Sequence, residues 1–88
     1  MAFNFLELDH IEIDGKVYDR RHGGPFDRGS ADSYYMRGAK PHYYKGGSYQ
    51  SEIVTEESMT SEEVEAYYAG YDWNEQYGDR KDYGDLRD

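Results

Sequence analysis

The sequence predicts a small α+β domain: a β-hairpin or three-stranded antiparallel sheet packed by two helices. Three observations carry this expectation. An Asp14-Gly15 pair separates two runs in which side chains alternate in character, the strongest short-range signal of a hairpin, because both central turn residues must take positive φ. Two later stretches repeat apolar residues at helical spacing, each between a start signal and a glycine. Finally, 11 tyrosines among 88 residues supply apolar surface at about 150–250 Å² per ring. That matters because Leu, Ile, Val and Phe provide only three residues each, a share that with high net charge would otherwise suggest disorder.

The elements follow in chain order. A first strand is expected over 3–8, and the hairpin over 10–20 around Asp14-Gly15. The run Arg21-His22-Gly23-Gly24-Pro25 breaks the alternation and reads as a loop. Asp27 is placed to cap a helix over 28–37, with Phe26 as its hydrophobic staple. Gly38 stands where a left-handed residue would end that helix, and Pro41 prevents its resumption. Residues 41–48 read as a loop rich in rings and glycine, and 51–55 as a brief strand pairing with the hairpin. Thr60-Ser61-Glu62-Glu63 is a capping box that starts a helix running to Tyr77 and stopped by Gly78. One domain over 1–78 and an acidic, flexible tail over 79–88 complete the layout.

The second helix carries two aromatic stripes. Val64, Tyr67, Tyr68 and Tyr71 form one, and Ala66, Gly70, Trp73 and Tyr77 the other, with Glu62, Glu65, Asp72 and Gln76 along the polar edge. One stripe suffices for the core of so small a domain. The second calls for a cover: the N-terminal strands, a second subunit or a partner.

The net charge of −9 is unevenly distributed. Acids exceed bases by four over 1–19 and by nine over 46–88, whereas bases exceed acids by four over 20–45. The basic middle is a candidate anion or RNA site, with Arg20, Arg21, Arg28, Lys40 and Tyr43 as its residues. Residues 20–28 in particular form a basic, glycine-rich loop before a helix N-terminus, a phosphate-binding arrangement.

Other classes find no support. Cysteine is absent, which removes disulfides and zinc–thiolate sites. His10, His22 and His42 lack paired metal-ligand spacing. Ser30, Ser33 and Thr60 lack a nucleophile motif, so no catalytic constellation and no cofactor motif is visible. The start of the chain lacks a basic n-region and an uninterrupted apolar stretch, so neither a secretory signal nor a membrane span is expected.

The run from Arg21 through Tyr35, continued by Pro41-His42-Tyr43, by Met59-Thr60-Ser61-Glu62-Glu63-Val64-Glu65-Ala66-Tyr67 and by Ala69-Gly70-Tyr71, resembles a group of small tailed-bacteriophage proteins. The resemblance covers about 18–84 and ends with Gly78-Asp79 and Lys81-Asp82-Tyr83-Gly84. It implies an accessory protein made in the host cytoplasm, with no reaction attached. Gly29, Ala31, Tyr35, Gly38, Pro41 and Tyr43, then Tyr67, Gly70 and Tyr71, more weakly resemble the two-helix unit of ribosome modulation factor. That family is basic and binds ribosomal RNA, whereas this chain is acidic.

The expected function is therefore binding rather than catalysis. The expected partner is a host or phage protein, with Glu65, Tyr68, Tyr71, Asp72, Trp73 and Tyr77 as interface residues. An RNA- or ribosome-binding module is the alternative reading, and a self-assembling virion component a third.

Overall fold

The computed structural model describes residues 2–6, 9–46 and 51–81. In order, the elements are β1 (Phe3–Phe5), β2 (His10–Ile13), β3 (Lys16–Asp19), α1 (Pro25–Tyr34), β4 (His42–Tyr44), β5 (Ile53–Thr55), a single 3₁₀ turn (Glu56–Ser58) and α2 (Ser61–Tyr77). β1, β2 and β3 form an antiparallel three-stranded sheet in that order, and β4 and β5 a separate antiparallel pair. This is an α+β single domain.

The first hairpin folds as its turn demands. Asp14 (φ 50°) and Gly15 (φ 87°) both take positive φ, and Ile13 faces Lys16 across the two-residue turn. Register then decides which side chains are inside. Phe3, Ile13 and Lys16 share one row and Phe5, Ile11 and Tyr18 the next. This face buries Ile11 and Ile13 against Phe26, with Phe3, Tyr18, Ala69 and Trp73 packed around them. Residues 7 and 8 of the expected first strand lie outside the described residues.

α1 begins three residues before its expected start. Gly24 is the N-cap and Pro25 occupies the first turn, where a missing N–H costs nothing and the ring's fixed φ already suits the helix. Asp27 acts from inside that turn: its Oδ2 accepts from the Gly23 amide at 2.9 Å. The left-handed residue after the helix is Met36 (φ 60°), two positions before Gly38. α2 matches its sequence signals closely. Thr60 Oγ1 accepts from the Glu63 amide at 3.1 Å, Glu63 Oε1 accepts from the Thr60 amide at 2.8 Å, and Gly78 is the C-cap.

Two strand expectations are corrected. Residues 42–44, expected in a loop, form β4, and β5 pairs with β4 rather than with the first hairpin. β4 is also held on its far side, where the Tyr44 amide donates to the Gly23 carbonyl at 2.8 Å. Residues 79–81 rest against the helices: Asn74 Nδ2 donates to the Asp79 carbonyl at 3.1 Å, and the Lys81 amide donates to the Tyr34 carbonyl at 2.7 Å. Residues 82–88 of the expected tail lie outside the described residues.

Among the described elements the largest interface is between α1 and α2, and it is a crossing of glycines. A Cβ on Gly29 would stand 1.9 Å from the Tyr67 carbonyl oxygen, and one on Gly70 would stand 2.1 Å from that of Phe26. The contact is reciprocal, because each helix carries an aromatic residue three positions before its glycine. Each glycine thus turns a Cα–H toward the other helix's backbone, a weak but recurrent stabilising contact at close helix crossings. Gly70→Ala is expected to cost at least about 2 kcal/mol of unfolding free energy, because the obstacle is backbone. Gly38→Ala, with nothing within 4 Å of its Cβ position, is expected to hold stability or raise it by up to ~1 kcal/mol. Urea denaturation of the two variants beside the wild type measures both.

Candidate functional site

α2 is covered on three sides, and the fourth is the candidate surface. Tyr67, Gly70 and Asn74 are its buried residues and face α1. On the side toward the sheet, Trp73 lies among Phe3, Phe5 and Phe26, with ring centroids at 5.7, 5.8 and 6.1 Å. The Arg20 guanidinium sits 4.7 Å from the Phe5 centroid and 5.9 Å from that of Trp73, an arrangement that shields both rings. Tyr77 packs on Phe3 at 4.6 Å. The N-terminal strands therefore provide the cover that the second aromatic stripe requires, and Trp73 belongs to the interior of the fold. Tyr71, on a third side, is half-buried and donates to the Arg37 carbonyl at 3.2 Å.

The remaining side, an arc of about 100° around the helix, holds Ser61, Glu65, Tyr68, Asp72, Glu75 and Gln76, all exposed. The helix carries five acids and no lysine or arginine. Tyr68 is 41% exposed, and its ring is set edge-on against Tyr67 at 5.6 Å, so an aromatic braced on one side projects from an acidic strip. Glu65 is partly engaged within the chain. Lys16 Nζ at 2.6 Å and the Tyr18 hydroxyl at 3.1 Å hold its carboxyl below the usual carboxylate range. Glu75 accepts from Ser33 Oγ at 2.5 Å and pairs with Arg80 at 2.7 Å.

The basic residues each have a separate setting. Arg20 covers the aromatic cluster. Arg21 faces Asp19 at 3.9 Å. Arg28 is buried, 3.6 Å from Asp27 and 5.8 Å from the Tyr44 centroid. Lys40 is exposed on the loop after α1. Tyr43 bonds Glu63, which raises its phenol above the ordinary range. The amides of the loop over 20–28 are also engaged, that of Arg21 with Asp19, that of Gly23 with Asp27 and that of Gly24 with the Arg21 carbonyl. Among the described residues, no group of His, Cys, Asp and Glu is placed to hold a metal ion, and no helix is long and apolar enough to cross a membrane. No family model matches the chain, and neither a curated protein nor a solved structure matches it.

Behind the exposed arc lies a polar network that the sequence reading missed. Asp32 is 4% exposed, accepts from the Tyr67 hydroxyl, and accepts from Arg37 Nε at 2.8 Å. The Tyr67 oxygen in turn accepts from the Lys40 amide at 2.8 Å. His42 Nδ1 donates to the Lys40 carbonyl at 2.8 Å and stands 3.9 Å from Asp32. One signal was present: Asp32 follows Gly29 by three, on the helix face that Phe26 and Gly29 commit to the interior.

Burial first, and the Asp32 hydrogen bond second, push the Tyr67 phenol above its ordinary value of 10.0. The unfolded chain would ionise this group before the folded one does. Its contribution to stability is therefore complete below pH 10 and is lost as the pH climbs beyond that value. Urea unfolding between about pH 7 and 11 should show stability falling in the alkaline range, this group adding up to about 1.4 kcal/mol per pH unit. Tyr67→Phe should cost about 1–3 kcal/mol at neutral pH, by leaving Asp32 and the Lys40 amide short of a partner, and should flatten the alkaline slope. An equal slope in the variant would place the titration elsewhere.

Proposed function

We propose that the chain is a non-enzymatic accessory protein, of the kind its resemblance to tailed-phage proteins implies, acting in the host cytoplasm by docking on a basic surface of a host or phage protein. The observation that carries this reading is the arc of α2 left exposed by the described residues, where Tyr68 stands between Glu65, itself bonded by Lys16, and the exposed Asp72 on a helix without a single basic residue. An exposed aromatic ring braced by a neighbouring ring is suited to serve as an anchor. Surrounding carboxylates steer a positively charged partner and raise the rate of encounter. Asp72 is exposed on the same arc, whereas Tyr77, although 44% exposed, packs on Phe3 on the sheet side of the helix and lies outside it.

Affinity capture from nuclease-treated host lysate, followed by titration of the recovered protein, tests the reading. Tyr68→Ala should weaken the complex roughly tenfold or more while helicity is kept. Asp72→Lys should chiefly slow association and reduce its salt dependence. Capture that disappears with nuclease would point to RNA instead. Binding indifferent to both substitutions would remove α2 from the interface, and a chain that only assembles with itself would favour a virion component.

A further inference from the structure

We propose that β5 is a docking edge for an extended, lysine- or arginine-bearing segment of another polypeptide, which adds as a third strand to the β4/β5 pair. This surface is separate from the arc of α2, and the two can fail independently.

The hydrogen-bonding phase of the hairpin assigns the edge. The Lys45 amide donates to the Glu52 carbonyl at 3.0 Å, so residues 45 and 52 are a bonded pair. Bonded and non-bonded pairs alternate along an antiparallel ladder. The next bonded pair is therefore Tyr43 with Val54, whereas Tyr44 with Ile53 and His42 with Thr55 turn their backbone groups outward. On the β4 side the outward Tyr44 amide is used by Gly23, which confirms the phase. On the β5 side the Thr55 carbonyl is taken by the 3₁₀ turn that Thr55 caps, whereas among the described residues no backbone group bonds the outward Thr55 amide or the outward amide and carbonyl of Ile53. Ile53 is 48% exposed and Thr55 is exposed.

Each face of this edge has a cavity. On one face, a space of about 460 Å³ lies between Pro41 and His42 on one side and Ile53, Thr55, Glu56 and Glu57 on the other. On the opposite face, about 240 Å³ lies beside Tyr43, Glu52 and Val54. Successive side chains of an added strand point to opposite faces. One side chain would enter the first cavity and its neighbour the second, while main-chain bonds to Ile53 and Thr55 supply the common part of the affinity.

Charge selects the occupant. Lys45 already faces Glu52 at 3.7 Å. Glu57 takes the Thr55 hydroxyl, and among the described residues no lysine or arginine pairs with Glu56 or Glu57. Lys40 is the cation on the rim of the first cavity. In the register that pairs Ile53 with Thr55 about Val54, a second copy of this chain would set Glu52 opposite Glu56, a like-charge pair. A basic partner strand meets the same carboxylates favourably.

The test titrates the full ¹⁵N-labelled chain with a short synthetic peptide alternating lysine and valine. A version N-methylated at alternate residues keeps the charge but loses the donors. The expected result is amide shifts centred on Ile53 and Thr55, exchange at both amides slowed roughly tenfold or more, and binding weakened about tenfold by N-methylation. Thr55→Pro should weaken binding similarly. Thr55 has φ −95° and ψ 171°, so proline requires a φ adjustment of about 15° or more, but the N–H it removes points outward and belongs to no ladder bond. Equal affinity of the N-methylated peptide, or shifts confined to Glu65, Tyr68 and Asp72, would overturn the proposal. So would concentration-dependent shifts at Ile53 and Thr55 without peptide, which would give the edge to a second copy.

Discussion

The rest of the fold depends on the backbone contact where α1 crosses α2. Gly29 lies against the Tyr67 carbonyl and Gly70 against that of Phe26, so the two helices meet at a distance that no side chain could separate. Two consequences follow from that closeness. Phe26 is carried to the side where Ile11 and Ile13 close the core, and Tyr67 is carried to the side where its hydroxyl reaches Asp32. An aromatic residue three positions before the crossing glycine does this in both helices, once for an apolar core and once for a polar one.

This division explains how a chain of mean hydropathy −1.14 forms an interior. Its fully buried large side chains are few, Tyr67, Phe26 and Ile11 among them. Much of the remainder is rings set edge-on or tilted against one another around Trp73. On the Tyr67 side, hydrogen bonds take the place of aliphatic contacts. A buried carboxylate is costly alone, but Asp32 is bonded by a phenol and a guanidinium, and its neighbour Ser33 by Asn74 and Glu75. Such a network stabilises only when every member is satisfied, which ties α1, α2 and the loop between α1 and β4 into one cooperative unit.

What the sequence revealed, and what it concealed, follows the range of the interaction. The Asp14-Gly15 turn and the Thr60/Glu63 capping box are local devices, and both appear in the structure where their residue types place them. The start of α1 was misread because Gly24-Pro25 looks like a breaker, although proline in the first turn is also a helix opener. β4 was hidden because Tyr43 and Tyr44 sit between a proline and two glycines, and only pairing across the chain with β5 makes them a strand. The bond between Asp32 and Tyr67 joins residues 35 positions apart, beyond any periodicity. At the candidate surface, the acidic edge of α2 was legible from spacing. The fate of Trp73 was not, because it depends on sheet register bringing Phe3 and Phe5 to one face.

The two surfaces left for binding therefore arise as remainders of packing. The outer arc of α2 is what α1 and the three-stranded sheet leave exposed, touched by the bonds from β3 to Glu65 and from α1 to Glu75, and the β5 edge is the side of that strand that β4 does not pair. Both depend on the crossing of the two helices, which can be observed directly by nuclear Overhauser spectroscopy on the labelled chain. The arrangement predicts strong intramolecular cross-peaks from a Gly29 Hα to the Tyr71 amide and from a Gly70 Hα to the Phe26 Hα, because the corresponding Cβ positions lie 3.0 Å from the Tyr71 nitrogen and 3.1 Å from the Phe26 Cα. Absence of these peaks in a folded sample, or their appearance only between differently labelled copies, would contradict the account at its base.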